Sequence, residues 1–516
     1  DSGGAAADSP FQLLPQGGGN NRSEDAPLDN WLVMNGAVYD GQLQFTCEYN
    51  RRQYRQDLVA ALVAEFKSEL QAVVAHCLDR NAGGATPADF PLAALEQSQI
   101  DRLPLDIRTV EDIYPLSPMQ QGLLFHTMLA PEKGLYINQL RLTVDGLDPV
   151  RFKQAWQAAV KRHAVLRTGF LAGPQFDVRQ PLQIVYKDAS LPFLEADWRE
   201  LPASGLPARL HELAQAERAL GFDLLQAPLQ KLALVRSGDS RHELIWTHHH
   251  LLMDGWSTAA LIAEVMRHYL GHDGAMASGK PASYADYIGW LQTRDRTAAE
   301  RFWRDKLQAL GQATLLANAV VAPDAGHDGQ RNEQPRDATS GHAAILRTLT
   351  PHQTLRLQQF AQRQRLALNT LVQAAWCLLL QRYCGQQSVA FGATVAGRPA
   401  ELADAETMLG LFINTLPIVQ SPSPQSRTGD WLQQLQEYNL DLREHEYTPL
   451  YDLQAWSGLG AGQALFDSII VFDNYPVDTA LRQRSGEALA FSGLQDSEAP
   501  HYAMTLAIQV GATLTI

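Results

Sequence analysis

The string HHHLLMDGWS, residues 248–257, holds the residue types best suited to chemistry. It stands where an apolar stretch, RHELIWT at 241–247, runs into a turn at Asp254-Gly255. In an extended strand neighbouring side chains point to opposite faces, so His248 and His250 share one face and His249 takes the other. Two histidines on a face need further ligands to hold zinc. The chain has no H-E-x-x-H helix and no cysteine cluster to supply them, so no metal is expected. An imidazole with an unperturbed pKa near ~6.5 can instead accept a proton from, or hydrogen-bond to, an attacking amine or hydroxyl at neutral pH. A histidine merely satisfied in the core would leave the acid and glycine that follow unexplained. As a unit, His250 projects into a cleft, Gly255 permits the tight turn, and Asp254 folds back onto the local backbone.

Other strings imitate catalytic motifs. GAMASGKP, 274–281, has the spacing of a phosphate-binding loop, yet Pro281 replaces the magnesium-binding Ser or Thr and would end the helix such a loop opens into. It is read as a surface loop. No G-x-S-x-G elbow is present, which removes the simplest serine-hydrolase reading.

These residues need a frame. Asp148-Pro149 opens a helix as cap and first-turn proline, with Phe152, Ala155, Trp156, Ala159 and Val160 along one stripe. Strands are expected at LRTGFL, LQIVY, LQKLALVRSG and RHELIWTHHH, then a helix from Thr258 to Leu270. LNTLVQAAWCLLLQRYC reads as a buried helix, and SVAFGATVAG and LFDSIIVFDNY as strands. The polar stretch 322–341 reads as an exposed loop. Interleaved helices and strands give an α/β class in two lobes. Ahead of this, residues 1–28 read as a mobile tail. LDNWLVMNGAVYDGQLQFTCEY reads as two strands turning at Asp40-Gly41, and Leu58, Leu62, Phe66, Leu70, Val73 and Val74 as the stripe of a helix. AGGATPADFPLA, small and broken by proline, reads as linker.

At 516 residues the chain has room for about three domain-sized units or two large ones. A net charge of −14 argues against a broad nucleic-acid or anionic-membrane surface. Cys47, Cys77, Cys377 and Cys384 form no C-x-x-C pair, and no apolar run is long enough to span a membrane, so a reducing, cytoplasmic setting is expected. The chain begins at Asp1 and stops at Ile516 within what reads as a strand, and is taken as a piece of something longer.

HHLLMDG, 249–255, resembles the HHxxxDG signature of condensation domains of nonribosomal peptide synthetases. YPLSPMQQGLLFH (114–126), RHAVLRTGF (162–170), SYADYIGWLQ (283–292), GLFINTLP (410–417), EHEYTPLYDLQ (444–454) and FDSIIVFDNYP (466–476) resemble the family's other motifs, in the family's order. The resemblance implies a chloramphenicol acetyltransferase-like pseudo-dimer with a tunnel between lobes, at 107–281 and 282–516. Residues 1–80 resemble the tail of an upstream epimerisation domain, with a linker at 81–106.

Carried over residue by residue, the resemblance makes His250 the active-site histidine and His249 its more structural neighbour. Asp254 becomes the acid of a structural salt bridge, to Arg167 or less plausibly Arg162. Gly255 falls at the turn where the pantetheine arm passes. Ser117, Gln120, Trp256, Ser257, Asn414 and Thr415 fall along the tunnel. The implied reaction joins a carrier-bound donor thioester to the amine of a carrier-bound L-aminoacyl acceptor. YPLSPMQQGLLFH, GLFINTLP and EHEYTPLYDLQ resemble the branch taking a D-configured donor. The implied partners are donor and acceptor carrier domains, an upstream epimerisation domain and a downstream adenylation domain. No cofactor is expected on this chain, the phosphopantetheine belonging to the carriers. The alternatives are an epimerisation domain, a freestanding acyltransferase and a non-catalytic scaffold that docks carriers.

Overall fold

The computed structural model of the chain describes residues 30–39, 41–79, 83–129, 134–271, 281–320, 343–460, 463–473, 489–497 and 502–516. The expected tail at 1–28, Asp40, the loop at 322–341, residues 274–280 and the end of the last motif, 474–476, lie outside them. The chain forms two compact units, residues 1–84 and 85–516. In the first, β1 (Leu32–Tyr39) and β2 (Gln42–Tyr49) make an antiparallel hairpin, followed by a helix at Gln56–Leu78. Phe66 of this helix meets Phe45 of β2 edge-on at 5.2 Å.

Residues 85–106, read from sequence as linker, belong to the body of the second unit. Phe90, Ala93, Leu95, Ile100 and Leu103 are buried there with Ile113 and Ile184. The apolar residues in this stretch are spaced irregularly between turns, so no periodicity announces them.

The early half of the second unit holds β3 (Val110–Pro115), β4 (Ile137–Asp145), β5 (Thr168–Leu171), β6 (Leu182–Tyr186), β7 (Phe193–Asp197), β8 (Gln230–Arg236) and β9 (Arg241–His249). The late half holds β10 (Val389–Val395), β11 (Asn414–Gln420), β12 (Ser468–Asp473), β13 (Ala490–Ser497), β14 (Met504–Val510) and β15 (Leu514–Thr515). A small sheet runs β3-β6-β5. One five-stranded sheet runs β11-β10-β12-β14-β15 and another β13-β4-β9-β8-β7.

The last order departs from a simple division at 281/282. β13 lies late in the chain, yet it pairs antiparallel with β4 of the early half. Phe491 packs against the early half's core, beside which Leu489 is buried.

The helix at Pro149–Arg162 forms as its sequence dictates. Asp148 caps it by accepting from the N–H groups of Val150 and Arg151, and its five stripe residues are all buried. Trp156 reaches Trp246 of β9 at 4.9 Å between ring centroids. Trp246 is fully buried, and its indole N–H donates to Gln230 Oε1 at 3.1 Å, so this bulky aromatic enters the core with its polar atom satisfied. That packing makes the strand beneath the histidines a rigid platform.

Candidate active site

β9 carries His248 and His249 at its C-terminal end, flanked by β4 and β8, and His250 is the first residue beyond it. Ile137 faces His249, and Asn138 and Gln230 both face His248. His248 stacks on Trp246 two residues before it, at 4.4 Å. His249 turns to the other face, where its Nδ1 accepts the N–H of Leu251 at 3.2 Å and its ring meets Phe222 edge-on. His248 and His250 both border a cavity of about 2530 Å³ and His249 does not, as the alternation requires. The walls come from both halves of the unit: Tyr136, Asn138 and Thr258 from the early half, Asn414, Thr415 and Tyr451 from the late half.

His250 Nδ1 lies 2.9 Å from the carbonyl oxygen of Met253. A carbonyl can only accept, so Nδ1 carries the hydrogen and in the neutral ring Nε2 carries the lone pair. The turn after the strand thus selects the tautomer. A single imidazole so fixed can accept a proton or a hydrogen bond from a nucleophile lying in the cavity.

Asp254 is fully buried. Its Oδ1 accepts the N–H of Ser257 at 2.8 Å, capping the helix Gly255–Leu270, and its Oδ2 accepts the N–H of Phe412 at 3.1 Å. The ion pair expected with Arg167 is made by Arg398, whose Nη2 lies 3.4 Å from Asp254 Oδ1. Arg398 also donates to Ser257 Oγ at 2.8 Å and to the carbonyl of Met408 at 2.9 Å, and its guanidinium lies over the Phe412 ring at 4.1 Å. Arg167 is held elsewhere, by Glu111 at 2.7 Å and the carbonyls of Tyr186, Lys187 and Val160. Arg162 pairs with Glu264 at 3.3 Å. The guanidinium of the second motif therefore serves the small sheet, while a late-half arginine clamps the turn of the histidine motif.

Gly397 makes this clamp possible. Its φ is +63°, and an added Cβ would penetrate the carbonyl oxygen of Phe412. Gly397→Ala should displace Arg398 or the 408–412 segment, lowering stability by about 2–4 kcal/mol, within the range of strain and lost buried pairing. Urea unfolding of the two proteins measures this, and equal midpoints would contradict the crossing described.

The remaining expected tunnel residues divide. Gly255, Asn414 and Thr415 border the cavity. Asn414 is fixed by donating to the carbonyls of Glu446 and Thr448 at 2.8 and 2.7 Å. Ser117, Gln120, Trp256 and Ser257 do not border it. Ser117 and Gln120 are buried in a polar knot, the Gln120 amide donating to Gln183 Oε1 and the Leu251 carbonyl, both at 3.0 Å. Ser257 belongs to the Arg398 clamp, its hydroxyl donating to the Gly410 carbonyl at 2.8 Å. Trp256 is partly exposed, at 42%. From the first motif the cavity is lined by Pro118, Met119, Gln121, Gly122, Leu123, Phe125 and His126, while the side chain of Gln120 turns inward.

Burial pushes His248 and His249 down to about 3, the neighbouring imidazoles adding to it. Both are neutral at neutral pH, and the unfolded chain binds their protons between about pH 6.5 and 3, so folding weakens as pH falls through that window. Glu446 works the other way. Burial raises its carboxyl to about 7, so the folded chain holds the extra proton from there down to its ordinary value of 4.5 and gains stability on acidification. Between pH 7 and 5.5 the Glu446 gain offsets somewhat more than half of the two histidines' loss, so the wild type loses about 1 kcal/mol. Glu446→Gln should instead lose on the order of 2–3 kcal/mol over that interval, at about 1.4 kcal/mol per pKa unit. Parallel pH dependences of the two proteins in urea melts would disprove the opposing titrations.

The family model for condensation domains matches residues 110–516, and the chain belongs to that family. Condensation domains are acyltransferases that form amide bonds in nonribosomal peptide synthetases. The chain is 37% identical over 517 residues to one of the linear gramicidin synthase proteins of Brevibacillus parabrevis, covering 98% of this chain and 10% of that protein. It is 36% identical to chondramide synthase cmdD of Chondromyces crocatus, covering 93% of this chain and 13% of that protein. The chain thus spans about a tenth of the length of these curated relatives.

Among solved structures it resembles holo-AB3403, a four-domain nonribosomal peptide synthetase bound to AMP and glycine. The TM-score is 0.62 at 18% identity, over 79% of this chain and 31% of that one. It also resembles the condensation domain of the Monacolin K polyketide synthase MokA, with TM-score 0.62 at 18% identity over 79% and 92% of the two chains. The fold is therefore the chloramphenicol acetyltransferase-like fold of condensation domains.

Proposed function

We propose that this chain joins two carrier-bound substrates by an amide bond, with His250 as the working group. The observation that carries the reading is the geometry of His250: its tautomer is set by the Met253 carbonyl, and it borders a large cavity walled by both halves of the unit. Donor and acceptor arrive as thioesters on the phosphopantetheine arms of two carrier domains. The acceptor's α-amine attacks the donor carbonyl carbon, the C–N bond forms, the C–S bond breaks, and the donor carrier leaves as a free thiol. The nitrogen must shed a proton and the sulfur must gain one. His250 Nε2 accepts the hydrogen of the attacking amine, and through the imidazole the proton becomes available to the departing sulfur.

Because a thioester is already activated, most of the rate comes from holding amine and carbonyl together, for which effective molarities reach about 10⁵ M or more. The cavity supplies that confinement. Asp254 and Arg398 act through structure, holding the turn that bears His250 against the late half.

The donor is proposed to be D-configured, delivered by an epimerisation domain upstream, and the product to pass towards an adenylation and carrier module downstream. The condensation-type motifs support this, as does the front unit's resemblance to an epimerisation-domain tail. The match to the linear gramicidin synthase protein also extends over 98% of this chain, front unit included. The test is to incubate the protein with a defined L-aminoacyl acceptor carrier and a donor carrier bearing either the D or the L aminoacyl group, reading products by mass spectrometry. Dipeptidyl product from the D donor in at least tenfold excess over the L donor is expected. Equal yields would remove the D preference, and no product from several donor and acceptor pairs would remove the reaction.

A further inference from the structure

His250 is held in place by a residue with an unusual backbone. Tyr136 has φ +61°, in the left-handed region that is unfavourable for any residue with a Cβ and that persists where the surroundings over-determine it. Tyr136 is buried and borders the cavity. It immediately precedes β4, whose first residue, Ile137, faces His249. Its carbonyl accepts the main-chain N–H of His250 at 2.8 Å, one step beyond the β4–β9 ladder.

His250 is thus tied twice. Its ring is tied through Nδ1 to Met253, and its backbone is tied to Tyr136 at the point where the strand gives way to the turn. The neighbouring His249 N–H is held from the opposite side by the Leu229 carbonyl at 2.9 Å, so the strand end is gripped from both flanks. With β4 in place, the torsion at Tyr136 sets where Gly134 and Leu135 lie; Leu135 packs against the core, so an extended backbone at Tyr136 forces the Tyr136–Ile137 peptide to twist and loosens its bond to the His250 N–H.

We infer that Tyr136 is a positioning residue for amide formation, acting through its left-handed backbone rather than its phenol ring. The inference rests on the reading of His250 as the working imidazole. A displacement of that ring by a fraction of an ångström lowers turnover without changing how the carriers bind, because geometry at the reacting atoms governs the chemical step.

The experiment compares Tyr136→Gly, Tyr136→Asn, Tyr136→Ala and Tyr136→Val in the intact chain, with His250→Ala and Tyr136→Phe alongside, using aminoacyl carriers and single-turnover product formation. The first four all remove the ring and differ in their tolerance of positive φ, which is highest for glycine, then asparagine, and lowest for the β-branched valine. The expected result is a turnover for Tyr136→Gly and Tyr136→Asn at least tenfold above that of Tyr136→Val, with KM for both carriers within about twofold. Tyr136→Ala should fall between them, and it substitutes for Tyr136→Val should the latter not fold by circular dichroism. Turnover that falls equally in all the ring-less variants while Tyr136→Phe stays active would assign the effect to the ring and overturn the inference. Full activity of His250→Ala would instead overturn the reading of His250 itself.

Discussion

His250→Ala should slow amide formation by about 10²–10⁴-fold, the usual contribution of a positioned proton acceptor. The fold should persist. The His250 side chain's bond to Met253 is local to the turn, and the platform beneath it is built by Trp246, Trp156 and the β4–β9–β8 ladder. The residual rate of the alanine variant measures what confinement in the cavity achieves alone. His250→Gln, which keeps a polar side chain without the imidazole's proton chemistry, should stay close to the alanine level. If either variant formed dipeptide at the wild-type rate on loaded carriers, amine activation by this ring would be excluded.

Asp254→Ala should lower unfolding free energy by about 3–5 kcal/mol, because it strands a largely buried guanidinium and leaves two buried N–H groups without their acceptor. Activity should fall with stability, since the same carboxylate holds the 410–412 segment to the turn behind His250. The choice of partner is separately testable by double-mutant cycles. Asp254 with Arg398 should show a coupling of about 1 kcal/mol or more, whereas Asp254 with Arg167 should be additive within about 0.5 kcal/mol. A strong coupling to Arg167 would contradict the arrangement found here.

The frame of the site was largely readable in sequence because the signals were local. The capped helix after Asp148, the helix Leu368–Cys384 and the strands Leu182–Tyr186 and Arg241–His249 each carry their apolar pattern within one segment. The opposite facing of His249 and His250 follows from the pleat alone. What escaped was non-local. Arg398 sits 144 residues from Asp254 beside a glycine-proline turn, and no spacing rule connects them. Ser117 and Gln120 were expected along the tunnel because they fall in the right motif. The helix, however, presents Gln121, Gly122 and Phe125 to the cavity and turns Gln120 inward, and only the packing of that helix decides which side faces the substrate. β13 escaped because AFSGLQDS has a glycine in mid-strand and little alternation, and its register shifts between Ser492 and Gln495.

That same strand bears on how the molecule is made. Ala490–Ser497 completes the flank of a sheet whose other members all precede residue 250, so a nascent polypeptide halted anywhere before it leaves β4 with an open hydrogen-bonding edge. Until Ala490–Ser497 is made, the early half lacks the strand that covers this edge. Anyone recombining such enzymes by cutting midway, near residue 281, would separate that sheet from its own border and should expect aggregation rather than two interchangeable parts.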